Sequence, residues 1–465
     1  MNPARIMTRW LWLVGVAIVL AGILFGYDEG VISGALLGIE HTFSVSTFMI
    51  EVITSWVTLG ALVGALVAGT LADRLGRRRT VLLAAVMFTI GAIIQGLAPD
   101  PTVLVAGRLI VGFGIGIASV ATPLFASEMT PAGLRGRFIS SYQFGITFGV
   151  FVAYFVDELL QSGSQWRLML AGSAVLGILL LLIMLPMTDT PRWYLRMGRQ
   201  EQARAALARV QPSDVDAGLA AMQADDPPGR AQATWRDVLS AQWRAPLKIG
   251  IGLAIFQQVT GINAIIYYAD TIFAAAGFTS VAGQTAATTW AIGGVNVLAT
   301  LIAVAFVDRL GRRPLLVAGL IGMAVSLTVV GIAFMSIPDV PTGVSSGANA
   351  TGPSDAGIIT LVALVVYIAS FAFSLGPVVC TMINEIFPRA IRSRAVAVST
   401  AAIWLSAWLV SQFFLSLING IGESATFWLF AVLCVVCLGW VWKKVPETKG
   451  LSLEQIEQMW AGRPS

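Results

Sequence analysis

Twelve long apolar stretches recur along the 465-residue chain, and they constrain its fold more than any other feature. A helix needs roughly 20 apolar residues, at about 1.5 Å of rise each, to cross the roughly 30 Å of hydrocarbon in a bilayer. Charged residues make up only 12% of the sequence, against about 25% in soluble domains. We therefore predict an all-α membrane protein with twelve transmembrane helices, spans 1 to 12, over residues 10–34, 50–72, 80–98, 103–126, 137–158, 168–187, 246–273, 283–307, 314–337, 357–384, 394–418 and 424–442.

The basic residues fall almost entirely on one side of these predicted spans. Of the 29 lysines and arginines, only Arg108, inside span 4, and Arg167, in the loop before span 6, lie elsewhere. Cytoplasmic loops retain Lys and Arg, so this asymmetry predicts that both termini are cytoplasmic. We expect a multi-pass protein of the plasma membrane, with a bacterial inner membrane as its location.

An internal repeat divides the chain into two parts. The segment Asp73-Arg74-Leu75-Gly76-Arg77-Arg78 after span 2 recurs as Asp308-Arg309-Leu310-Gly311-Arg312-Arg313 after span 8. A glutamate and an arginine seven residues apart follow both span 4 and span 10: Glu128 with Arg135, and Glu385 with Arg392. Parallel halves of this kind put the substrate site between them, near the bilayer midplane. We predict a first six-helix half over 1–188, a cytoplasmic helical linker over 189–245, a second half over 246–443 and a cytoplasmic tail over 444–465.

Two adjacent carboxylates, Asp28 and Glu29, lie inside the first apolar run. An ionised carboxylate within a bilayer costs several kcal/mol unless it is paired or hydrated, so such residues usually face a protein interior and serve transport. Helix rise places Asp28 and Arg108 of span 4 both in the outer half of the membrane, where they can pair. The alternative interpretation is that Asp28 and Glu29 only end span 1 at the outer headgroups.

Neutral amides in span 7 suit a ligand with several hydroxyl groups, because amides and hydroxyls both donate and accept hydrogen bonds. Gln257, Gln258 and Asn263 can converge on one cavity if the helix is broken between them, and Gly261 permits such a break. The alternative is that these amides hydrogen-bond one helix to another as packing contacts.

These features together resemble the sugar porter family of the major facilitator superfamily, over nearly the whole chain. The resemblance rests on Gly26-Tyr27-Asp28, the two Asp-Arg-Leu-Gly-Arg-Arg loops, Arg108, Glu128 to Arg137, Asp189 to Trp193, Gln257 to Asn263, and Pro446 to Gly450. It implies the major facilitator fold and import of a monosaccharide, a pentose or hexose, or a related polyol by proton symport with alternating access. Family symporters have an acid at the position of Asp28, so we predict that Asp28 couples the proton and that Arg108 tunes it.

The resemblance also implies further site residues. It adds Gln143 and Asn296 as hydrogen-bonding ligands of the sugar, and Phe25, Phe371 and Trp404 as aromatic contacts. A cytoplasmic charge network that links the halves when the outer side is open is implied for Arg77, Arg78, Glu128, Arg135, Asp189, Arg312, Glu385 and Arg392. Four positions depart from the family pattern: Asp189 replaces a Glu, Cys380 replaces a Trp, and Ile403 and Val150 replace amides.

Other functions are less well supported by the sequence. A facilitative sugar uniporter is the first alternative, and a sugar sensor with a transporter-like fold is the second. We find no catalytic Ser or Cys with a His, no metal-ligand cluster, and no glycine loop followed by Lys for phosphates, so we expect neither an enzyme nor a cofactor. The expected partners are a sugar, a proton and the lipid bilayer, with no nucleic acid, and the chain is expected to function as a monomer.

Overall fold

The computed structural model describes residues 8–161, 165–212, 214–225, 238, 240–337, 354–387, 391–447 and 449. In this part of the chain, twelve helices are long and apolar enough to cross a membrane. The predicted all-α class and span number are therefore confirmed. Spans 1 to 6 are Arg9–Phe43, Thr47–Leu75, Arg77–Gly96, Pro101–Met129, Ala132–Leu160 and Trp166–Met184.

Three spans of the second half are interrupted. Span 7 comprises Arg244–Val259, Ile262–Tyr267 and Ala269–Ala275. Span 8 comprises Val281–Ala287, a π-helical segment Thr288–Gly294, and Val295–Leu310. Span 10 comprises Asp355–Phe373 and Leu375–Glu385, while spans 9, 11 and 12 are the continuous helices Arg312–Met335, Arg392–Ile421 and Glu423–Lys444. Among the described residues up to 225, three short helices follow span 6, at Pro191–Arg196, Gln200–Val210 and Val215–Asp225. Residues 226–237 of the predicted linker, and 450–465 of the tail, lie outside the described residues.

Span 1 is longer than its apolar run, and this corrects one interpretation of the sequence. The helix continues to Phe43, where Ser44 adopts a left-handed conformation with φ of 49°. Its last turns are held by span 6, because the Trp166 indole N–H donates to the Thr42 hydroxyl at 2.9 Å. Asp28 and Glu29 consequently lie near the middle of a 35-residue helix. The interpretation that they end the helix is wrong.

The same packing pattern occurs in both halves. Span 1 packs along span 5, span 2 along span 4 and span 3 along span 6, and the second half repeats this with spans 7 and 11, 8 and 10, and 9 and 12. Small residues permit the closest of these approaches. A Cβ on Gly26 would lie 1.8 Å from the Ile146 carbonyl oxygen, so only glycine fits between spans 1 and 5 at this point.

The two halves touch at one end of the bundle and separate at the other. We call the end that carries Arg77 and Arg312 the basic face, and the opposite end the acidic face. Towards the acidic face, spans 2 and 11 are joined by hydrogen bonds that form the polar seam. In it, the Glu51 carboxylate accepts from the backbone N–H of Ser416 at 2.6 Å and from its hydroxyl at 2.7 Å. Gln412 Oε1 accepts from the Ser55 hydroxyl at 2.8 Å and the Trp56 indole N–H at 3.1 Å.

A second set of contacts closes the acidic side between spans 1 and 5 of one half and span 7 of the other. The Tyr154 hydroxyl donates to the Ile266 carbonyl at 2.8 Å, and the Asp270 backbone N–H donates to the Ser33 hydroxyl at 3.1 Å. Together with the polar seam, these bonds seal the space between the halves from the acidic face.

Candidate functional site

A large cavity occupies the space between the two halves. Its volume is about 2710 Å³, and spans 1, 2, 4, 5, 7, 8, 10 and 11 line it. The cavity reaches the basic face, where Asp73, Arg77 and Glu385 lie in its wall. It ends towards the acidic face at Glu29, Val150 and Ile266, next to the contacts that seal that side. The described conformer is therefore open at the basic face alone.

The structure brings all the predicted sugar-binding side chains to this one cavity. The wall contains Phe25, Gln143, Gln257, Gln258, Asn263, Asn296, Phe371 and Trp404. They come from spans 1, 5, 7, 8, 10 and 11, so both halves contribute. Their convergence supports the site predicted from the sequence, while their role as ligands stays a prediction.

Span 7 is broken between Gln257 and Asn263, two of the residues that line the cavity. The first helical segment ends at Val259, Gly261 has a left-handed φ of 97°, and a new helix starts at Ile262. The Thr260 carbonyl, released by the break, accepts a hydrogen bond of 3.0 Å from the Tyr367 hydroxyl of span 10. The predicted interruption at Gly261 is confirmed, and it brings Gln257 and Asn263 to the same cavity.

Some polar groups in the cavity wall are only partly satisfied. Gln257 Nε2 donates to the Leu375 carbonyl at 3.0 Å, where span 10 is interrupted, and Gln258 Nε2 donates to Gln257 Oε1 at 3.4 Å. Among the described residues, no partner contacts Gln258 Oε1, the Tyr142 hydroxyl or Trp404 Nε1. An unsatisfied buried polar group costs about 1–3 kcal/mol. A ligand with both donors and acceptors would remove this cost, and a polyol has both.

Aromatic side chains provide the apolar part of the site. Phe25 of span 1 and Trp404 of span 11 are 5.5 Å apart between ring centroids, tilted by 43°, across the interface of the halves. The residues that depart from the family pattern, Val150, Cys380 and Ile403, line the same cavity. The wall thus has fewer hydrogen-bonding groups at these three positions than the resemblance implies.

Asp28 and Arg108 form an ion pair beside the cavity, enclosed by spans 1, 2 and 4. Arg108 Nη1 lies 3.0 Å from Asp28 Oδ2 and 3.1 Å from Oδ1, and the two residues are 0% and 1% exposed, respectively. The guanidinium also donates to the carbonyls of Ile53 at 3.0 Å and Thr54 at 3.3 Å. The predicted pairing is confirmed, and the proton-coupling role of the pair stays a prediction.

At the basic face of the first half, the predicted charged residues form one cluster. Arg77 is paired with Glu128. Nη2 of Arg77 lies 3.0 Å from Oε1 of Glu128, and Nε of Arg77 lies 3.0 Å from Oε2. Asp189 accepts from the backbone N–H groups of Arg77 at 2.8 Å and Thr190 at 2.9 Å. Burial raises the pKa of Asp189 above its ordinary value, and these donors and the Arg77 charge offset only part of that rise. Arg78 donates to the carbonyls of Met184 and Leu185 at the end of span 6.

The second half repeats this cluster and shows a member that sequence reasoning missed. Arg312 Nη2 lies 3.0 Å from Glu385 Oε1, as Arg77 does from Glu128. Glu447 takes the place of Asp189, because its carboxylate accepts from the backbone N–H groups of Arg312 and Arg313 at 3.0 Å each. The internal repeat was the signal that could have identified it.

The two remaining residues of the predicted charge network, Arg135 and Arg392, lie at the starts of spans 5 and 11, which correspond in the two halves. Arg135 lies in the first turn of span 5, and Arg392 is the first residue of span 11. Arg392 donates to the Phe387 carbonyl at 2.8 Å. The ion pairs given above each lie within one half, on either side of the open cavity mouth. A linkage between the halves would belong to the conformer that is closed at the basic face, and it stays a prediction.

Comparison with known proteins shows what the whole chain is similar to. The family model described as "Sugar (and other) transporter" matches residues 14–460. The arabinose-proton symporter of Bacillus subtilis (strain 168) is 34% identical over 456 residues, covering 96% of this chain and 94% of the relative. The galactose-proton symporter of Escherichia coli (strain K12) is 36% identical over 440 residues, with 94% and 92% covered. The structure of the xylose transporter XylE from E. coli in a partially occluded, inward-open conformation is similar with a TM-score of 0.80 and 28% identity, covering 95% of this chain and 99% of that one.

Proposed function

The chain belongs to the sugar transporter family, and from that premise we propose that it imports a monosaccharide or a related polyol by proton symport. The observation that carries this proposal is the cavity between the halves, where amide and aromatic side chains converge beside a buried Asp28–Arg108 pair. Relatives named as arabinose- and galactose-proton symporters support it. A pentose or a hexose is the substrate class that fits these relatives.

The conformation supports transport by alternating access. The cavity opens at the basic face, and hydrogen bonds between the halves close the acidic face. We infer that the basic face and both termini are cytoplasmic, because cytoplasmic loops retain Lys and Arg. On this assignment the described conformer is inward-open, as is the similar XylE structure. We place the protein in a bacterial inner membrane, with lipid around its twelve spans.

The two halves of a single chain form the proposed transport unit. We propose the first half at 1–188, the cytoplasmic linker at 189–245, the second half at 246–443 and the cytoplasmic tail at 444–465. One chain supplies both walls of the cavity, which supports function as a monomer.

A proton on Asp28 would make the import concentrative. Deprotonated Asp28 is paired with Arg108, and protonation would weaken that pair and so change the packing of spans 1, 2 and 4. One proton moving down 100 mV supplies about 2.3 kcal/mol, and about 1.4 kcal/mol corresponds to a tenfold concentration ratio. Accumulation of roughly 50-fold follows at one proton per sugar. A uniporter would only equilibrate its substrate.

Uptake by proteoliposomes tests this proposal. The purified full-length protein would be given radiolabelled pentoses, hexoses and inositols, with and without an imposed inward proton gradient. We expect gradient-driven accumulation of one of these compounds, abolished by a protonophore. Uptake that only equilibrates the sugar and does not depend on the proton gradient would instead identify a uniporter. Absence of uptake for every compound would refute sugar transport.

A further inference from the structure

Glu29 is a carboxylate in the cavity wall that the proposed mechanism does not use. It follows Asp28 directly, yet the two side chains have different surroundings. Asp28 is 1% exposed and paired with Arg108, whereas Glu29 is partly exposed and lines the cavity. This difference follows from helix geometry, because neighbouring residues point about 100° apart around the axis. Phe25, one turn before Glu29 and on the same side of span 1, lines the cavity as well.

No described residue pairs with the Glu29 carboxylate or donates a hydrogen bond to it. The guanidinium of Arg108 contacts Asp28 and the carbonyls of Ile53 and Thr54. The titratable groups that interact with Glu29 are Asp28, Tyr142, Tyr154 and Tyr267, none of which supplies a positive charge. None of these groups donates a hydrogen bond to Glu29 in this structure, so the carboxylate is open to donors from water or a ligand.

The position of Glu29 within the cavity favours a ligand. It lies at the end away from the opening, where Val150, Ile266 and the amide of Asn263 also line the wall. The other carboxylates of the described wall, Asp73, Glu128 and Glu385, lie at the mouth. The carboxylate of Glu29 thus shares the inner end of the cavity with the amide of Asn263, and it differs from an amide because it accepts hydrogen bonds and donates none when ionised.

We propose that Glu29 determines substrate specificity by accepting hydrogen bonds from two neighbouring hydroxyl groups of the transported sugar. The two carboxylate oxygens match two hydroxyls on adjacent carbons, and in its ionised form the carboxylate makes stronger hydrogen bonds than a neutral amide. This inference rests on the proposed function, since it assigns a role in the sugar site to a residue other than the proton-coupling Asp28.

A comparison of sugar analogues tests this role. The sugar that binds most tightly in the uptake panel, and each of its monodeoxy analogues, would be titrated into the purified full-length protein in nanodiscs by calorimetry. Wild type would be compared with Glu29→Gln and with a control on the same helix, Glu40→Gln, whose side chain is exposed outside the cavity. A Glu29→Asp variant keeps the charge with a shorter reach, and thermal melting of each variant checks that it is folded.

We expect Glu29→Gln to bind the parent sugar about 10- to 100-fold more weakly, the range for a hydrogen bond to a charged group. Removing the two hydroxyls that contact Glu29 should weaken binding to wild type and to Glu40→Gln by a similar factor, but have little effect on Glu29→Gln. Proton-driven accumulation by Glu29→Gln should require correspondingly higher sugar concentrations.

Two results would overturn the inference while leaving sugar transport intact. One is that removing each hydroxyl weakens binding by the same factor in wild type and in Glu29→Gln, which would show that Glu29 contacts none of the sugar hydroxyls. The other is normal sugar binding by Glu29→Gln with loss of uphill accumulation, which would make Glu29 a proton carrier. If wild type binds no sugar of the panel, the proposed function itself fails, and the inference fails with it.

Discussion

At the residue scale, the buried pair of Asp28 and Arg108 has the clearest consequence for transport. The amide in Asp28→Asn has the same shape as the carboxyl group but cannot exchange a proton. We therefore expect this variant to lose uphill uptake driven by a proton gradient, while sugar still exchanges across the membrane. Counterflow of labelled against unlabelled sugar in proteoliposomes measures the exchange, with Glu40→Gln as the control. Loss of both activities would refute so specific a role for Asp28.

The same pair makes a prediction about stability. Removing one partner of a buried ion pair leaves an uncompensated charge, at a cost of about 3–5 kcal/mol. We expect Arg108→Ala to melt at a clearly lower temperature than wild type, and Asp28→Asn combined with Arg108→Ala to recover part of the loss. Arg74→Ala is the matched control, because Arg74 is exposed at the basic face. Equal melting of the single and double variants would show that the charge of Asp28 is not the cause.

At the scale of the helices, the approach of span 1 to span 5 depends on glycine. Any side chain at position 26 would meet the backbone of span 5, with a Cβ 1.8 Å from the Ile146 carbonyl oxygen. Overpacking costs typically about 1–3 kcal/mol, and more where backbone must move. We expect Gly26→Ala to lower the melting temperature and the transport rate. Gly439→Ala in span 12 should do neither, because a Cβ there would have no neighbour within 4 Å. Equal effects of the two substitutions would mean that helix propensity and not packing is responsible.

At the scale of the whole molecule, the orientation of the open cavity can be read from a native cysteine. Cys380 is exposed in the cavity wall, whereas Cys434 and Cys437 are buried. A membrane-impermeant maleimide should therefore react with the protein from the cytoplasmic side, in inside-out vesicles, and the transported sugar should slow the reaction. Cys380→Ser should not react. Labelling that is faster in right-side-out vesicles would contradict the proposed orientation or the described conformer.

The polar seam between spans 2 and 11 joins the halves at the acidic face and should therefore favour that conformer. Glu51→Gln replaces the carboxylate that accepts two hydrogen bonds from Ser416 with a neutral amide. Conformers of a protein typically differ by about a few kcal/mol, so weaker bonds at the acidic face should shift the equilibrium towards the outward-open state. We expect slower labelling of Cys380 from the cytoplasmic side in Glu51→Gln, with Glu40→Gln labelled as in wild type. Faster labelling would show that the seam does not stabilise the inward-open conformer.

The number of spans and their arrangement in two halves could be predicted from sequence patterns alone. Hydropathy and the repeated charged loops are local properties, and helices in a bilayer must satisfy their backbone internally, so few other folds are open to such a chain. The pairing of Asp28 with Arg108 and the break at Gly261 were also predictable, the first from depth along two helices and the second from the conformational freedom of glycine.

The directions in which individual side chains face, and the end at which the cavity is open, depend on contacts in the folded protein. The side chain of Glu29 lines the cavity, whereas that of Asp28 is paired with Arg108 beside it. Packing of span 1 against span 5 fixes the rotation of the helix about its axis and so decides this difference. Span 1 continues to Phe43 through contacts with Trp166, which lies more than a hundred residues away. Glu447 binds the backbone of Arg312 across 135 residues of sequence. Such contacts depend on the assembled bundle, and neither hydropathy nor motif spacing contains them.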